Sequence, residues 1–295
     1  MEWCREYFSH CGGDVEGNDL FATLVAYDLQ SGSYTARVRQ DRNQHRLWCQ
    51  QVAGLLDLVC QSGDTVLEVG VGEATTLAGA LQAMKVQPNL AIGFDVSWSR
   101  VAEGRAWLEE MGQKASLFVG DLFSIPLADS SVDVVYSSHS LEPNGGKELE
   151  ALAECLRVSR KSVVLIEPIY ELALPVAQER MRLHGYVKGL KKAAEKLGAE
   201  VAAYHLLDYS PNPLNPSGVI HLRKPATSLD QDVELDPRHN TPQWRCPMTG
   251  VILEPGLEFF VADELGLVYP VLQGVPMLRP EHAIVASKIK SAYQR

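Results

Sequence analysis

A glycine turn and the strand before it are the residues of this 295-residue sequence whose types and spacing point most directly to chemistry. Residues 66–75 read as a short apolar strand that passes through Gly70 and Gly72 into the start of a helix. Glycines let a ligand approach the backbone closely, and a helix N-terminus offers free N–H groups. A dinucleotide fingerprint counted from Gly70 requires glycine at position 75, where Thr75 stands. The turn therefore indicates a nucleotide-like ligand and disfavours a nicotinamide cofactor.

Acidic side chains follow at the ends of the next strands. Asp95 ends the apolar run 90–95, and Asp121 comes directly after the strand predicted at 115–119. A carboxylate after the second strand can accept hydrogen bonds from both hydroxyls of a ribose. Each acid taken alone is also explained as a solvated strand-end carboxylate, and for Asp133 that explanation is favoured.

Together these residues resemble the class I S-adenosylmethionine (AdoMet) dependent methyltransferases. The first motif of that family places an acid two residues before a G-x-G-x-G turn; Glu68, Gly70 and Gly72 match it, whereas Ala74 replaces the third glycine. The resemblance implies AdoMet as the cofactor, with Asp121 accepting from the adenine amino group. The cofactor-binding residues that it implies are Glu68, Gly70, Gly72, Asp95, Val96, Asp121, Leu122, Ser137 and Tyr34.

His139 is the candidate catalytic residue, because it lies just past the fourth strand, where the resemblance places the meeting of acceptor and methyl group. A general base is needed only when the acceptor is a hydroxyl or a protonated amine. A packing or cap role for His139 is the alternative. Glu142, Glu167 and Tyr170 are further candidates for the acceptor pocket.

The segment upstream of the core, 27–34, is dense in aromatic and hydrogen-bonding side chains. In many class I methyltransferases such a segment folds over the cofactor; a surface turn around Gly32 is the alternative. Four arginines follow, for which a solvated basic face is favoured over a site for an anionic acceptor. They are Arg37, Arg39, Arg42 and Arg46.

Strands alternate with helices from about residue 43 to 166, which predicts a doubly wound α/β fold with a mostly parallel, Rossmann-like sheet. A single helical stretch is expected at 174–198, followed by a hairpin of strands at 200–208 and 217–224. The polar, proline-rich residues after 225 mark a boundary. The predicted domains are an N-terminal cap at 1–46, an AdoMet-binding domain at 47–225 and a small β-rich tail at 236–285, with a short helix at the C-terminus.

The tail resembles the small zinc-ribbon-related domain that activates certain tRNA and release-factor methyltransferases. The resemblance rests on Cys246-Pro-Met-Thr-Gly250 and on the Tyr269-Pro270 pair. The four ligand places of that domain hold Cys246, Thr249, Ala262 and Leu265 here, so a tetrahedral sulfur site cannot form. We expect no metal, and the tail must fold on its apolar residues; His239 and His282 would need examination if zinc were found.

Composition limits the partners. The formal net charge is −10, which disfavours extended nucleic-acid binding because phosphates are neutralised by Lys and Arg. No stretch approaches the roughly 18 apolar residues of a membrane span. The N-terminus is polar, and the six cysteines form no CxxC pair, so reduced thiols and a cytoplasmic protein are expected.

The sequence therefore predicts an AdoMet-dependent methyltransferase that transfers a methyl group to an O or N atom of a small or medium-sized metabolite. Methylation of tRNA or protein is one alternative, suggested by the tail and opposed by the net charge. A non-catalytic AdoMet-binding or scaffold protein is another, opposed by the intact glycine turn and Asp95. The expected partner is the small-molecule acceptor, with no membrane, and a homodimer stays open.

Overall fold

A seven-stranded sheet forms the centre of the part of the chain that this computed structural model describes, residues 20–224 and 243–290. Its strands in chain order are β1 (Thr65–Val69), β2 (Leu90–Asp95), β3 (Ser116–Val119), β4 (Val132–Ser138), β5 (Ser159–Pro168), β6 (Glu200–Leu206) and β7 (Ser217–Arg223). Across the sheet the order is β3-β2-β1-β4-β5-β7-β6. The first five strands are parallel, and β7 runs antiparallel to β5 and β6. The predicted doubly wound sheet and its terminal hairpin are confirmed.

Helices cover both faces of this sheet. They are α1 (Leu20–Leu29), α2 (Ser33–Gln40), α3 (Arg42–Leu56), α4 (Thr75–Ala83), α5 (Trp98–Glu110), α6 (Glu148–Val158), α7 (Pro175–Leu183) and α8 (Leu190–Lys196), with a 3₁₀ turn at Tyr170–Leu172. Alternate residues of β1 enter the two cores: Leu67 packs in one hydrophobic cluster and Val66 in the other. The strand order reverses between β1 and β4, which is the position where open α/β sheets bind ligands, outside the carboxyl ends of the strands.

The single helical stretch expected at 174–198 is wrong, because the structure divides it into α7 and α8. The break is at residues 184–189, where Gly185 and Gly189 have φ of 65° and 66°. A residue in the left-handed conformation cannot continue an α-helix, and glycine is the residue that adopts this conformation at no steric cost. Lysine and arginine are common on both sides of this break and favour a helix, so the sequence pattern does not indicate it.

The tail forms a separate small antiparallel sheet that packs against the β3 edge. Its strands are β8 (Glu254–Pro255), β9 (Phe259–Ala262), β10 (Leu267–Leu272), β11 (Val275–Pro276) and β12 (Ile284–Val285). Met277 forms a parallel bridge to Val119 of β3, and the N–H of Leu278 donates to the Val119 carbonyl at 2.8 Å. Trp244 packs edge-on against Phe118, with ring centroids 5.0 Å apart. The tail therefore shares a hydrophobic core with the larger domain.

Parts of two predicted domains lie outside the described residues: 1–19 of the cap and 236–242 of the tail, which includes His239. The predicted C-terminal helix falls mostly on residues 291–295, which are outside as well. None of the described helices has the length and apolar character needed to cross a membrane.

Candidate active site

The glycine turn between β1 and α4 is built from left-handed residues. Gly70, Gly72 and Ala74 have φ of 65°, 53° and 52°. A Cβ at position 70 would collide with the side chain of Ser140, so this close approach requires glycine. Ala74 keeps the left-handed conformation of the glycine that it replaces, at a cost on the order of 1–3 kcal/mol. The turn therefore combines three left-handed residues with a close approach that only glycine permits at position 70.

Asp95 ties the end of β2 to this turn. Its Oδ2 accepts the N–H of Gly72 at 3.1 Å, and its Oδ1 accepts the N–H of Ser97 at 3.0 Å. Burial raises the pKa of Asp95, although the hydrogen bond from Ser97 and the cation of Arg100 oppose that effect. A carboxylate in this position has the chemistry needed to accept from a ribose diol.

Glu68 lies beneath the turn. It is 2% exposed, and its Oε2 accepts the hydroxyl of Tyr136 at 2.8 Å. Burial raises the pKa of Glu68 to about 8, so the side chain is largely protonated at neutral pH. The structure therefore gives Glu68 a supporting position inside the core, and its direct contact with a cofactor stays a prediction.

Glu73 attaches the upstream segment to the turn. Its buried carboxylate accepts the N–H groups of Gly32 at 3.0 Å, Tyr34 at 3.3 Å and Thr35 at 2.7 Å. These N–H groups belong to the start of α2, where a negative charge is favourable because the helix leaves them unpaired. Residues 30–32 do form a turn, which joins α1 to α2. This turn lies against the glycine turn, and Glu73 anchors it there.

Arg100 lies between the upstream segment and the glycine turn. Its guanidinium carbon is 4.3 Å from the ring centroid of Tyr27 and 4.9 Å from that of Tyr34. Burial raises the pKa of Tyr27; the cation of Arg100 opposes this, and the charges of Asp95 and Glu142 add to it. The charges of both Asp95, at the glycine turn, and Glu142, at the end of β4, therefore act on the Tyr27 hydroxyl. The upstream segment covers the carboxyl edge of the sheet.

His139 and Glu142 form the second cluster, at the end of β4. The Nδ1 of His139 is 2.9 Å from Oε2 of Glu142, and its Nε2 is 2.7 Å from Oγ of Ser217. Asn215 donates to the same oxygen of Glu142 at 3.1 Å. Burial alone would lower the pKa of His139, but the hydrogen bond and charge of Glu142, with the charge of Glu167, raise it. Both ring nitrogens therefore have protein partners.

Glu167 shapes the backbone of this cluster. It is fully buried and accepts the N–H groups of Ser140 and Leu141 at 3.1 Å and of Glu142 at 3.2 Å. Burial raises its pKa to about 7, although the charge of His139 opposes that effect. His139 has a φ of 57°, a strained conformation for a residue other than glycine. Glu167 is therefore a support for the loop, whereas Glu142 has the more accessible carboxylate.

The remaining predicted residues lie along the same edge. Asp121 uses Oδ1 to accept the N–H of Phe123 at 2.9 Å, and Leu122 is buried in the core. Val96 is half-buried beside Asp95, and Ser137 is fully buried near the end of β4. Tyr170, by contrast, belongs to a separate apolar cluster around α7, with Lys188 over its ring at 4.9 Å. The structure does not bring Tyr170 into contact with His139.

Cys246, the only one of the four predicted ligand places that holds a cysteine, makes a hydrogen bond inside the tail. The Cys246 thiol lies 3.2 Å from the hydroxyl of Tyr269, and both residues are buried. No group of three or more His, Cys, Asp and Glu side chains suited to a metal ion occurs within residues 20–224 and 243–290. The four basic residues Arg37, Arg39, Arg42 and Arg46 are exposed, as a solvated face requires.

Comparisons with known proteins agree with this geometry. Residues 66–162 match the family model described as a methyltransferase domain. The fold is similar to a chain of the complex between the Haloferax volcanii Trm112 methyltransferase activator and a methyltransferase. The two sequences are 18% identical, the match covers 68% of this chain and 98% of that chain, and the TM-score is 0.53. It is also similar to the [4+2]-cyclase SpnF, with 17% identity, 60% and 82% covered, and a TM-score of 0.50. No curated protein matches the sequence.

The matched residues 66–162 include the glycine turn and the acids after β2 and β3, so this chain carries a methyltransferase domain. Its class is that of the AdoMet-dependent methyltransferases, and AdoMet is the cofactor of the class. The observed turn is compatible with that cofactor, because Gly70 and Gly72 carry no side chain and Asp95 lies beside them, with Oδ2 3.1 Å from the Gly72 nitrogen.

Some site residues were not predicted from the sequence. Glu73 stands inside the recognised motif, yet nothing in the pattern shows that it binds a segment about 40 residues upstream. Arg100 reads as an ordinary helical residue. Ser217 and Asn215 come from the terminal hairpin, and their contact with His139 and Glu142 depends on the antiparallel return of β7 beside β5.

Proposed function

We propose that this protein transfers a methyl group from AdoMet to an O or N atom of a small or medium-sized metabolite. The observation that carries the proposal is the cover formed by α1 and α2 over the carboxyl edge of the sheet. Glu73 anchors that cover, and Arg100 packs against both of its tyrosines. A covered edge favours an acceptor small enough to be enclosed, and enclosure excludes water from the reaction.

The cofactor supplies an already activated methyl group, so the protein mainly has to align a nucleophile and keep water out. Asp95 would hold the ribose, and the glycine turn would approach the rest of the cofactor. The cluster at the end of β4 would then lie on the acceptor side, because Ser140 of this cluster packs against Gly70 and donates to the Val69 carbonyl at 2.6 Å.

His139 is suited to proton transfer from the acceptor. In the tautomer with hydrogen on Nδ1, the Nδ1–H donates to Glu142 and leaves Nε2 as a base. In that tautomer the Ser217 hydroxyl, 2.7 Å away, donates to Nε2, and an acceptor hydroxyl or ammonium would have to replace that contact. Glu142 stabilises the protonated imidazole, which accords with the raised pKa of His139.

An acceptor screen tests this proposal. The parent protein is incubated with AdoMet labelled in the methyl group and with pools of hydroxyl- and amine-bearing metabolites, total tRNA, or a protein extract. We expect label in the small-molecule fraction, and much less with Asp95→Ala at an AdoMet concentration that does not saturate the variant; this variant serves as the control for contaminating activity. Transfer confined to RNA or protein would contradict the proposal.

Methylation of tRNA or protein remains the second candidate because of the tail. The tail packs along β3 through Met277 and Leu278, as a permanently attached module. One structure of similar fold comes from a complex with the Trm112 methyltransferase activator, and the tail resembles a zinc-ribbon-related activator without its ligands. The net charge of −10 weighs against a polynucleotide substrate. The macromolecular arms of the screen decide between the two.

A non-catalytic role is the third candidate. A similar fold does not by itself imply methyl transfer, since one chain of similar fold is named as a [4+2]-cyclase. AdoMet binding without label transfer to any acceptor pool would favour this reading. The proposal includes a small-molecule acceptor as the partner, no membrane partner, and a homodimer. Size-exclusion chromatography with light scattering tests whether the protein is a homodimer.

A further inference from the structure

Arg100 has two buried donors without partners among the described residues. The side chain is 7% exposed, and neither Nε nor Nη2 makes a hydrogen bond there. These two nitrogens lie on one edge of the guanidinium and form a two-donor fork that fits a pair of neighbouring oxygen atoms. A buried charged group with unpaired donors is costly, so the fork calls for a ligand with two acceptors.

The position of Arg100 places its guanidinium beside the glycine turn. The residue lies in the first turn of α5, where its backbone N–H donates to Oγ of Ser97 at 3.3 Å. Its Nη1 lies 3.9 Å from the point where a Cβ would stand at Gly72. Its positive charge also reaches Asp95. Arg100 therefore faces the same turn and the same acid to which the ribose is assigned.

The surroundings hold the guanidinium in place. Tyr27 and Tyr34 lie at cation–π distance from it, and Tyr34 is fixed through its backbone by Glu73. A side chain with this many rotatable bonds loses conformational freedom when it binds a ligand. Packing against two rings removes much of that loss in advance, which favours a role in binding.

We propose that Arg100 binds the ribose of the cofactor as the counterpart of Asp95. Asp95 accepts the protons of the two ribose hydroxyls, and the Nε–H and Nη2–H of Arg100 donate to the oxygens of the same hydroxyls. The inference rests on the proposed function, which places the ribose at Asp95. A carboxylate could also fill the fork, but the negative charge of Asp95 repels a carboxylate and favours a diol.

Binding measurements with three ligands test this assignment. S-adenosylhomocysteine carries both the diol and a carboxylate, methylthioadenosine carries the diol alone, and 2′,3′-dideoxy-methylthioadenosine carries neither. Affinities are measured by calorimetry, by competition where binding is weak, for the parent, Arg100→Met and Arg100→Lys. Arg182→Met is the matched control, because Arg182 is paired only with Glu179 on the exposed face of α7 among the described residues.

We expect Arg100→Met to weaken the first two ligands by the same factor of about ten or more, as the loss of charge-assisted hydrogen bonds predicts. The dideoxy ligand should change by less than about twofold. Arg100→Lys retains the charge and the contact with the tyrosines but lacks the fork, so it should show the same selectivity in a milder form. This variant carries the test if Arg100→Met fails to fold.

Three results would overturn the inference. A loss of affinity for S-adenosylhomocysteine alone would assign the fork to a carboxylate, and an equal loss of affinity for all three ligands would assign Arg100 a structural role. The third is no loss of affinity for any ligand. Failure of the proposed function looks different: either the parent protein does not bind S-adenosylhomocysteine, or it binds the ligand with the selectivity described here but transfers no label to small molecules in the acceptor screen.

Discussion

Replacing Glu73 with glutamine should release the start of α2 from the glycine turn. The carboxylate is 2% exposed and accepts three backbone N–H groups, two on Oε1 and one on Oε2. Glutamine offers a single acceptor oxygen, and its NH₂ group would face a backbone N–H. Hydrogen bonds to a charged group contribute about 1.5–3 kcal/mol each, so we expect the local free energy of opening to fall by roughly 2–4 kcal/mol.

Hydrogen exchange measured by mass spectrometry on peptides spanning 24–40 reads out this change. Because each 1.4 kcal/mol is a factor of ten, exchange in these peptides should accelerate by about 30- to 1,000-fold, while peptides from β1 and β4 stay protected. Glu110→Gln is the matched control: its partner Arg39 is about half exposed, and solvent-exposed ion pairs contribute little to stability. Unchanged exchange in Glu73→Gln, or equal acceleration in both variants, would refute the anchoring role.

Three further predictions concern other parts of the molecule. His139→Ala should slow methyl transfer and leave AdoMet affinity nearly unchanged, as steady-state kinetics and calorimetry would show; an unchanged rate would make His139 structural. The pKa of Glu68 is raised to about 8, so its contribution to stability is present below about pH 4.5 and is lost as the pH rises through about 8. Urea unfolding should show Glu68→Gln gaining stability relative to the parent as the pH rises from about 4.5 to about 8, with no further gain above that, and a constant difference across pH would contradict this. The purified protein should carry no stoichiometric zinc by elemental analysis, and tightly held zinc whose removal unfolds the tail would contradict this. Truncation after residue 235 should lower stability and solubility, because it exposes Phe118 and Leu127 to water.

Hydrophobic periodicity and turn residues were sufficient to predict the sheet. The runs 90–95 and 132–136 are confirmed as β2 and β4, because buried parallel strands read as continuous apolar stretches. The hairpin of β6 and β7 is also confirmed, with its two strands antiparallel. The helical stretch at 174–198 is wrong, since its interruption depends on two left-handed glycines within a strongly helical composition.

Side-chain partners across long sequence separations could not be predicted. Asp133 was expected to be solvated, yet it is buried, accepts from Thr65, and forms an ion pair with Arg160 at 2.8 Å. Burial would raise its pKa, but these partners outweigh it and lower the pKa. Its neighbours come from other strands, so the local pattern contains no trace of them. The same is true of Arg100, whose role depends on a helix upstream of the core.

The central claim is that AdoMet binds at the glycine turn with its ribose on Asp95. Isothermal titration calorimetry of AdoMet with the parent, Asp95→Ala and the exposed-carboxylate control Asp208→Ala tests it most directly. We predict binding by the parent and by the control, and a loss of about tenfold or more in Asp95→Ala, since charge-assisted hydrogen bonds contribute about 1.5–3 kcal/mol each. A folded Asp95→Ala variant that binds AdoMet as tightly as the parent would contradict the placement of the cofactor.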